Sequence, residues 1–317
     1  MSKKNNTIKQ HYVPRAFLER WSIDNGQVYP IKIITKIPPK LEILKKTGVY
    51  PFCHENYFYA NEQGKKDEFS QIVEENFTEV ENGMYATLTS FEKKVLRNEQ
   101  ITFDDKYNLA SIMLFFHMRG KKHLEWSKNF SNEIVRKMFD MTLRFKEENE
   151  FKELGITREE ALEMNRDMSV DLGMAHHLQQ LKDIQEFAFH IARKYWRINI
   201  SKKGEFIVSD APYLDLPVKQ VGWYGNSIYD RDQIFMLSPK VRISIMKPIS
   251  LKAKNVNRKD ITNDNNNVDH LNLISLMNSV LFGFHSDEKV LERTKQMVYK
   301  VYQYKISTDY IPTKEEA

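Results

Sequence analysis

Hydrophobic spacing in this 317-residue chain changes period partway along, and that change limits the fold more than any other feature. From Asp67 to Trp196 apolar residues recur three and four apart, which lines them along one side of a helix. Phe69, Ile72, Val73, Phe77, Val80 and Tyr85 set this pattern first, and Gly83 weakens that helix without ending it. After Trp196 the spacing falls to two, as in a strand with one face buried. A helical middle followed by alternating strands predicts an α+β chain with a C-terminal antiparallel sheet.

The boundaries of the elements follow from local chemistry. Residues 1–9 are polar and expected to be loose. Val13 to Trp21 reads as a short helix with Pro14 in its first turn, where a missing N–H costs nothing. Val28 to Thr35 reads as a strand, stopped at Pro38-Pro39, and Tyr57-Phe58-Tyr59 as a second extended piece, giving a hairpin-like N-terminal segment. Thr102-Phe103-Asp104-Asp105 and Thr157-Arg158-Glu159-Glu160 each resemble a capping box that opens a helix. In the first of these helices Leu109, Ile112, Met113 and Phe116 form the apolar face, and Gly120 on that face suggests a close helix crossing. Charged amphipathic helix continues over 127–155, and Ala175 to Trp196 reads as one more helix.

Further on, Arg197–Ile200 and Glu205–Val208 read as a hairpin through Gly204, and Gln233–Leu237 and Val241–Met246 as another turning at Ser238-Pro239. The asparagine-rich stretch 255–267 reads as a surface loop, 271–284 and 288–297 as helices, and 298–306 as a last strand. No internal repeat or linker stands out, so residues 10–306 are expected to form one compact unit, with a polar tail at 307–317.

Composition removes several classes of function. One cysteine, Cys53, permits neither an internal disulfide nor a cysteine-based zinc site, and a reducing cytoplasm is the natural compartment. The first six residues carry lysines with no apolar run behind them, unlike a signal peptide. The longest helical apolar stretch, Ile112 to Phe116, is far too short to span a bilayer, so no membrane role is expected. The net charge of +5 permits contact with nucleic acid without requiring it, because acids and bases are interspersed. HExxH, Walker and GxGxxG patterns are absent.

Two strings do not look like core filling. Gln10-His11-Tyr12-Val13-Pro14-Arg15 lies near the start, and Ser209-Asp210-Ala211-Pro212 ends an expected strand. With them go Glu55-Asn56-Tyr57-Phe58-Tyr59, Val80-Glu81, Phe115-Phe116-His117-Met118-Arg119, Leu237-Ser238-Pro239 and Asn272. This set resembles a widespread, mainly bacterial family of uncharacterised proteins, a domain of unknown function marked by the histidine-tyrosine-valine-proline and serine-aspartate-x-proline strings. The resemblance spans roughly residues 10 to 285 and implies an α+β fold without a settled activity.

Candidate chemistry rests on a few of these residues. His11 suits a general base, a metal ligand, or a residue that fixes the entry to the first helix. Asp210, at a strand end, suits a metal-holding or water-activating carboxylate, or a turn in which Ser209 and Asp210 bond nearby amides. Ser209 lacks the glycines of a nucleophile elbow. Glu74 and Glu81, seven apart, share a helix face, and Glu81 has Arg119 as its obvious partner. That pair is either a buried clamp or a divided site, with Glu81 on a metal and Arg119 on a phosphate. His117 and Arg119 diverge by about 160° on a helix, whereas Arg119 and His123 are one turn apart.

The enzyme reading is a metal-dependent phosphodiester hydrolase acting on nucleic acid or a nucleotide, in defence against foreign DNA. In it, Asp210 and Glu81 hold Mg²⁺ or Mn²⁺, and His11 handles the proton. Arg119, Tyr12, Ser209 and Asn272 contact substrate. The alternatives are a non-catalytic protein-interaction module and a binder of a small anionic ligand. Convergence of His11, Glu81, Arg119 and Asp210 in one open cleft separates the first from the others.

Overall fold

A computed structural model describes residues 8–23, 26–60, 68–153, 155–167, 183–216, 232–246, 257–262 and 265–307. The expectations for residues 1–7, 168–182 and 308–317 lie outside them. The chain divides into two compact units: Met1–Gly120 with Ile184–Ala317, and Lys121–Asp183.

The first unit opens with strand β1 (Lys9–His11), helix α1 (Arg15–Leu18) and a 3-10 turn (Glu19–Trp21), with Pro14 at the N-cap. Strands β2 (Gln27–Lys36), β3 (Pro39–Ile43), β4 (Thr47–Gly48) and β5 (His54–Asn56) follow, and β1 pairs antiparallel with β5. Helices α2 (Glu68–Leu96) and α3 (Phe103–Arg119) complete the first half. The capping box at Thr102 forms as its sequence predicts. The Thr102 hydroxyl accepts from the Asp105 N–H at 3.2 Å, and Asp105 accepts from the Thr102 N–H at 2.9 Å.

The second unit holds α4 (Lys121–Phe145), α5 (Glu148–Glu153) and α6 (Arg158–Asp167). Here Thr157 and Glu160 make the second expected box, with main-chain N–H groups donating at 3.1 and 2.7 Å.

The chain returns to the first unit through α7 (Ile184–Ala192), β6 (Tyr195–Ser201), β7 (Val208–Ser209), β8 (Tyr213–Leu216), β9 (Asp232–Met236) and β10 (Val241–Met246). Strand β11 (Asn257–Thr262), helix α8 (Asn265–Met277), strand β12 (Phe282–His285) and helix α9 (Glu288–Ser307) end it. One sheet runs β11-β6-β10-β9-β8, and a second runs β3-β2-β12-β7, with β4 also on β2. The β9–β10 hairpin turns where Ser238-Pro239 predicts. The α+β class holds.

Several local expectations do not. Glu205–Val208 does not pair with β6. Phe206, Ile207 and Val208 are all fully buried, so the segment has no solvent face to alternate with. It crosses between the sheets, and Val208-Ser209 pairs with β12. Tyr57–Tyr59 is a turn, because adjacent Phe58 and Tyr59 both point into the core, which one strand does not allow. Residues 257–262 are a strand, parallel to β6, whose main-chain edge recruits it without needing apolar side chains.

The expected helix 271–284 stops at Met277, and 282–285 joins the second sheet. The expected strand 298–306 is a continuation of α9, on which Leu291, Thr294 and Val298 are buried at helical spacing. Tyr195 and Trp196 begin β6 rather than ending a helix. Gly120 has extended backbone (ψ 147°) and ends α3, so it breaks the helix instead of easing a crossing.

The second sheet packs under α8 and α9 through Ile31, Ile33, Leu41, Ile207, Leu276, Val290, Leu291 and Val298. An aromatic cluster of Phe17, Trp21, Phe116 and Phe235 ties α1 and α3 to the first sheet, with Phe17 and Phe116 centroids 4.4 Å apart. Gly283 sits where the second sheet meets α8. A Cβ there would lie 2.9 Å from Leu276 and 3.0 Å from Ile31. Gly283→Ala is therefore expected to lower stability by about 1–3 kcal/mol through overpacking, measured by urea unfolding.

Candidate functional site

The α2 helix buries Val73, Phe77, Met84, Leu88, Phe91 and Val95 along one stripe, while Ile72 and Val80, expected on it, are exposed. Glu74 and Glu81 intrude on that stripe, one on each side of Phe77 along the helix. Arg119 occupies the last turn of α3, where a cation also complements the helix dipole. Its guanidinium carbon lies 5.1 Å from the Phe77 ring and 5.7 Å from the Phe115 ring.

Arg119 is 1% exposed, and its nitrogens are largely committed. Nε donates to the His11 carbonyl at 2.6 Å and to the Tyr59 hydroxyl at 3.0 Å. One terminal nitrogen donates to Glu81, and the other lies 3.8 Å from Glu74 Oε2. The Tyr59 hydroxyl in turn donates to the same His11 carbonyl at 3.0 Å, and the Tyr59 N–H donates to buried Gln10 Oε1 at 2.9 Å. Much of the N-terminal string is thus explained by main-chain anchoring. Gln10 holds the Tyr59 backbone, the His11 carbonyl receives Arg119, and the Tyr12 N–H donates to the Cys53 carbonyl at 2.9 Å.

The His11 imidazole remains available. A groove of about 370 Å³ is lined by His11, Pro14, Arg15, Ala16, Glu19, Glu74, Thr78, Glu81 and Arg119. Two buried polar atoms on these walls have no hydrogen-bond partner: His11 Nε2 and Glu74 Oε2. Burial, then the neighbouring His54 and Arg119, lowers the His11 pKa to about 4, so the ring is neutral at pH 7. Burial, aided by Glu81 and opposed by Arg119, raises Glu74 to about 7. The groove is therefore lined by a carboxyl group that titrates near neutrality and by an uncharged imidazole.

Of the four residues expected to converge, His11, Glu81 and Arg119 meet, and Asp210 is not on the groove. Asp210 is 1% exposed, and its carboxylate accepts three main-chain N–H groups: Val280 at 2.8 Å, Leu281 at 2.7 Å and Phe282 at 2.9 Å. The amides are seventy residues away, so this is a long-range tie rather than a local turn. Ser209 makes the local turn, donating to the Ala211 carbonyl at 2.9 Å and accepting from its N–H at 3.2 Å.

Asn272 is fully buried, with both ends of its amide on the main chain of Glu205 and Ile207. Tyr12 is 7% exposed and shares a hydrogen bond with Cys53. Ser209, Asn272 and Tyr12 make these contacts within the fold and line no part of the groove. The helical register does not run from Arg119 to His123, because the helix breaks at Gly120. Among the described residues no group of three or more His, Cys, Asp or Glu side chains is placed to hold a metal ion. Glu74, Glu81 and His11 line the groove without forming such a group.

Glu74 shares the face of Glu81 as its spacing predicts, although no chemistry was expected of it, and Gln10, Arg15 and Tyr59 lie in the motif strings without an individual role expected of them. The signal for Glu74 was its acid at an apolar position of the α2 stripe. The signal for Gln10 and Tyr59 is visible only once β1 pairs with β5.

Two measurements follow. Asp210→Ala strands three amides and is expected to cost roughly 2–5 kcal/mol in stability, read by urea unfolding. The pH dependence of stability has opposing parts. Glu74 rises from 4.5 to about 7 on folding, so the folded state holds the extra proton and stability falls as pH climbs through that window. His11 drops from 6.5 to about 4, so the unfolded state holds the extra proton and stability rises as pH climbs from 4 to 6.5. Glu74→Gln should leave the rise uncovered, and His11→Gln the fall, in chemical denaturation from pH 4 to 8.

Comparison with known proteins supports the resemblance to a family of uncharacterised proteins. A family described as "Protein of unknown function (DUF4238)" matches residues 9–294. No curated protein and no solved structure matches. With nine-tenths of its length inside that match, the chain belongs to this family of proteins of unknown function.

Proposed function

We propose that the groove below His11 is a hydrolytic site in which Glu74 and His11 carry the proton transfers and the Glu81–Arg119 pair holds them in place. The observation behind this reading is that His11 and Glu74 line one open groove and each has a buried atom without a hydrogen-bond partner, His11 Nε2 and Glu74 Oε2, the latter 3.8 Å from Arg119. A carboxyl group titrating near 7 donates a proton to a leaving group and recovers it at little cost. A neutral imidazole stands ready to accept one from water. Arg119 is a positioning residue here: it fixes the His11 carbonyl, and through it the ring, against α2.

The substrate in this reading is a phosphodiester of nucleic acid or a nucleotide, in keeping with the net charge of +5. Of the two residues expected to hold Mg²⁺ or Mn²⁺, Asp210 is taken up by three amides and Glu81 by Arg119, so this reading routes no step through a metal. The motif strings His11-Tyr12-Val13-Pro14 and Ser209-Asp210-Ala211-Pro212 are, on this reading, the family's marks, the first at the groove and the second in the frame. A non-catalytic interaction module is the second reading, and one observation favours it. Arg119 is so fully engaged by His11, Tyr59 and Glu81 that the cluster also works as a clamp alone.

Purified protein, incubated with single- and double-stranded DNA, RNA and a cyclic nucleotide in the presence of Mg²⁺ or Mn²⁺, tests the proposal. Cleavage is expected, with Glu74→Gln and His11→Gln each lowering kcat by about 100-fold or more while remaining folded. Equal activity in the Glu74→Gln and wild-type proteins would remove Glu74 from the chemistry. No turnover of any substrate would leave the clamp reading.

A further inference from the structure

Strand β10 alternates sharply. Val241, Ile243 and Ile245 are fully buried on one side of the first sheet, and Arg242 and Ser244 lie on the other. Arg242 is nevertheless only 2% exposed. One terminal nitrogen donates to the Ser244 hydroxyl at 2.9 Å and lies 3.5 Å from Asn199 Oδ1, both neutral partners. Its Nε is buried with no hydrogen-bond partner. No carboxylate among the described residues forms an ion pair with it.

The surroundings sharpen the problem. Asn199 faces Arg242 across the β6–β10 ladder, and Arg197 faces Ser244, so the two arginines are diagonal neighbours on one side of the sheet. Burial, and then the charge of Arg197, pulls the Arg242 pKa down to about 10, which still leaves it charged at neutral pH. A buried guanidinium with an idle N–H, a like charge beside it and no carboxylate paired with it among the described residues is unfavourable unless an anion completes it. The fork of a guanidinium matches two oxygens of a tetrahedral oxyanion, and Ser244 and Asn199 supply further hydrogen-bonding groups.

We propose that this side of the first sheet binds a phosphate group, with Arg242 as the principal ligand and Arg197 as a supporting charge. The site is separate from the groove at His11 and does not depend on the hydrolytic reading. The phosphate is either a free inorganic ion or part of a nucleotide.

Thermal unfolding of the full chain tests this in a series of inorganic phosphate concentrations, with sodium chloride added to hold ionic strength constant. A parallel series uses adenosine monophosphate. Wild type should show a saturable rise in Tm of several degrees, and Arg242→Met should lose it. His11→Gln should keep it, which places the ion at Arg242 and not in the groove. A larger response to the nucleotide identifies a nucleotide phosphate, and a larger response to the ion identifies free phosphate. No rise in wild type beyond the chloride control, or an equal rise in Arg242→Met, overturns the proposal. Should Arg242→Met fail to fold, Arg197→Gln decides. A several-fold weaker phosphate dependence, confirmed by loss of ³¹P line broadening, supports the site, and an unchanged one overturns it.

Discussion

The hydrogen bond from Arg119 to the His11 carbonyl is the interaction on which the groove depends. It joins the end of α3 to β1 over a gap of more than a hundred residues, inside a space closed by Phe77, Phe115 and Tyr59. A guanidinium is suited to this because its five donors fan out in a plane, so one side chain can serve a carbonyl, a hydroxyl and a carboxylate together. Its charge is tolerable there because Glu81 pairs with it and Glu74 stands close by. The same arrangement leaves Glu74 in competition: Arg119 favours its ionised form, while burial and Glu81 oppose it more strongly. A carboxyl group that titrates near neutrality is therefore a by-product of anchoring the strand.

Asp210 has a comparable part in the second sheet. Two of its amide donors lie in the turn between α8 and β12 and the third, Phe282, begins that strand, and the Asp210 N–H donates back to the Phe282 carbonyl at 2.9 Å. This fixes where the helix stops and the strand starts, a boundary that hydrophobic spacing alone placed several residues later. Asn272 does the same for the crossing segment 205–207. The two conspicuous strings of the sequence thus divide their labour. The N-terminal one anchors main chain and presents His11 to the groove, and the other organises a turn and a sheet edge away from it.

Elements governed by neighbours in sequence were legible in advance. Both capping boxes, the β9–β10 hairpin and strand β2 follow from residues within a few positions of one another. The errors fall where a partner far along the chain decides. Phe206-Ile207-Val208 looks like a hairpin arm, but it is buried on all sides and belongs between two sheets. Residues 298–306 carry β-branched and aromatic residues, yet packing of Leu291, Thr294 and Val298 against the sheet keeps them helical.

The sequence by itself determined the class of fold, the two capped helices and the pairing of Glu81 with Arg119. Periodicity and capping are local, so no tertiary knowledge was needed for them. Only the tertiary structure decided that Glu74, rather than Asp210, shares the groove with His11, and that Arg242 is buried with its Nε lacking a hydrogen-bond partner. Burial and pairing are properties of surroundings assembled from distant segments. The charge state and availability of a side chain follow from that assembly and not from its place in the chain.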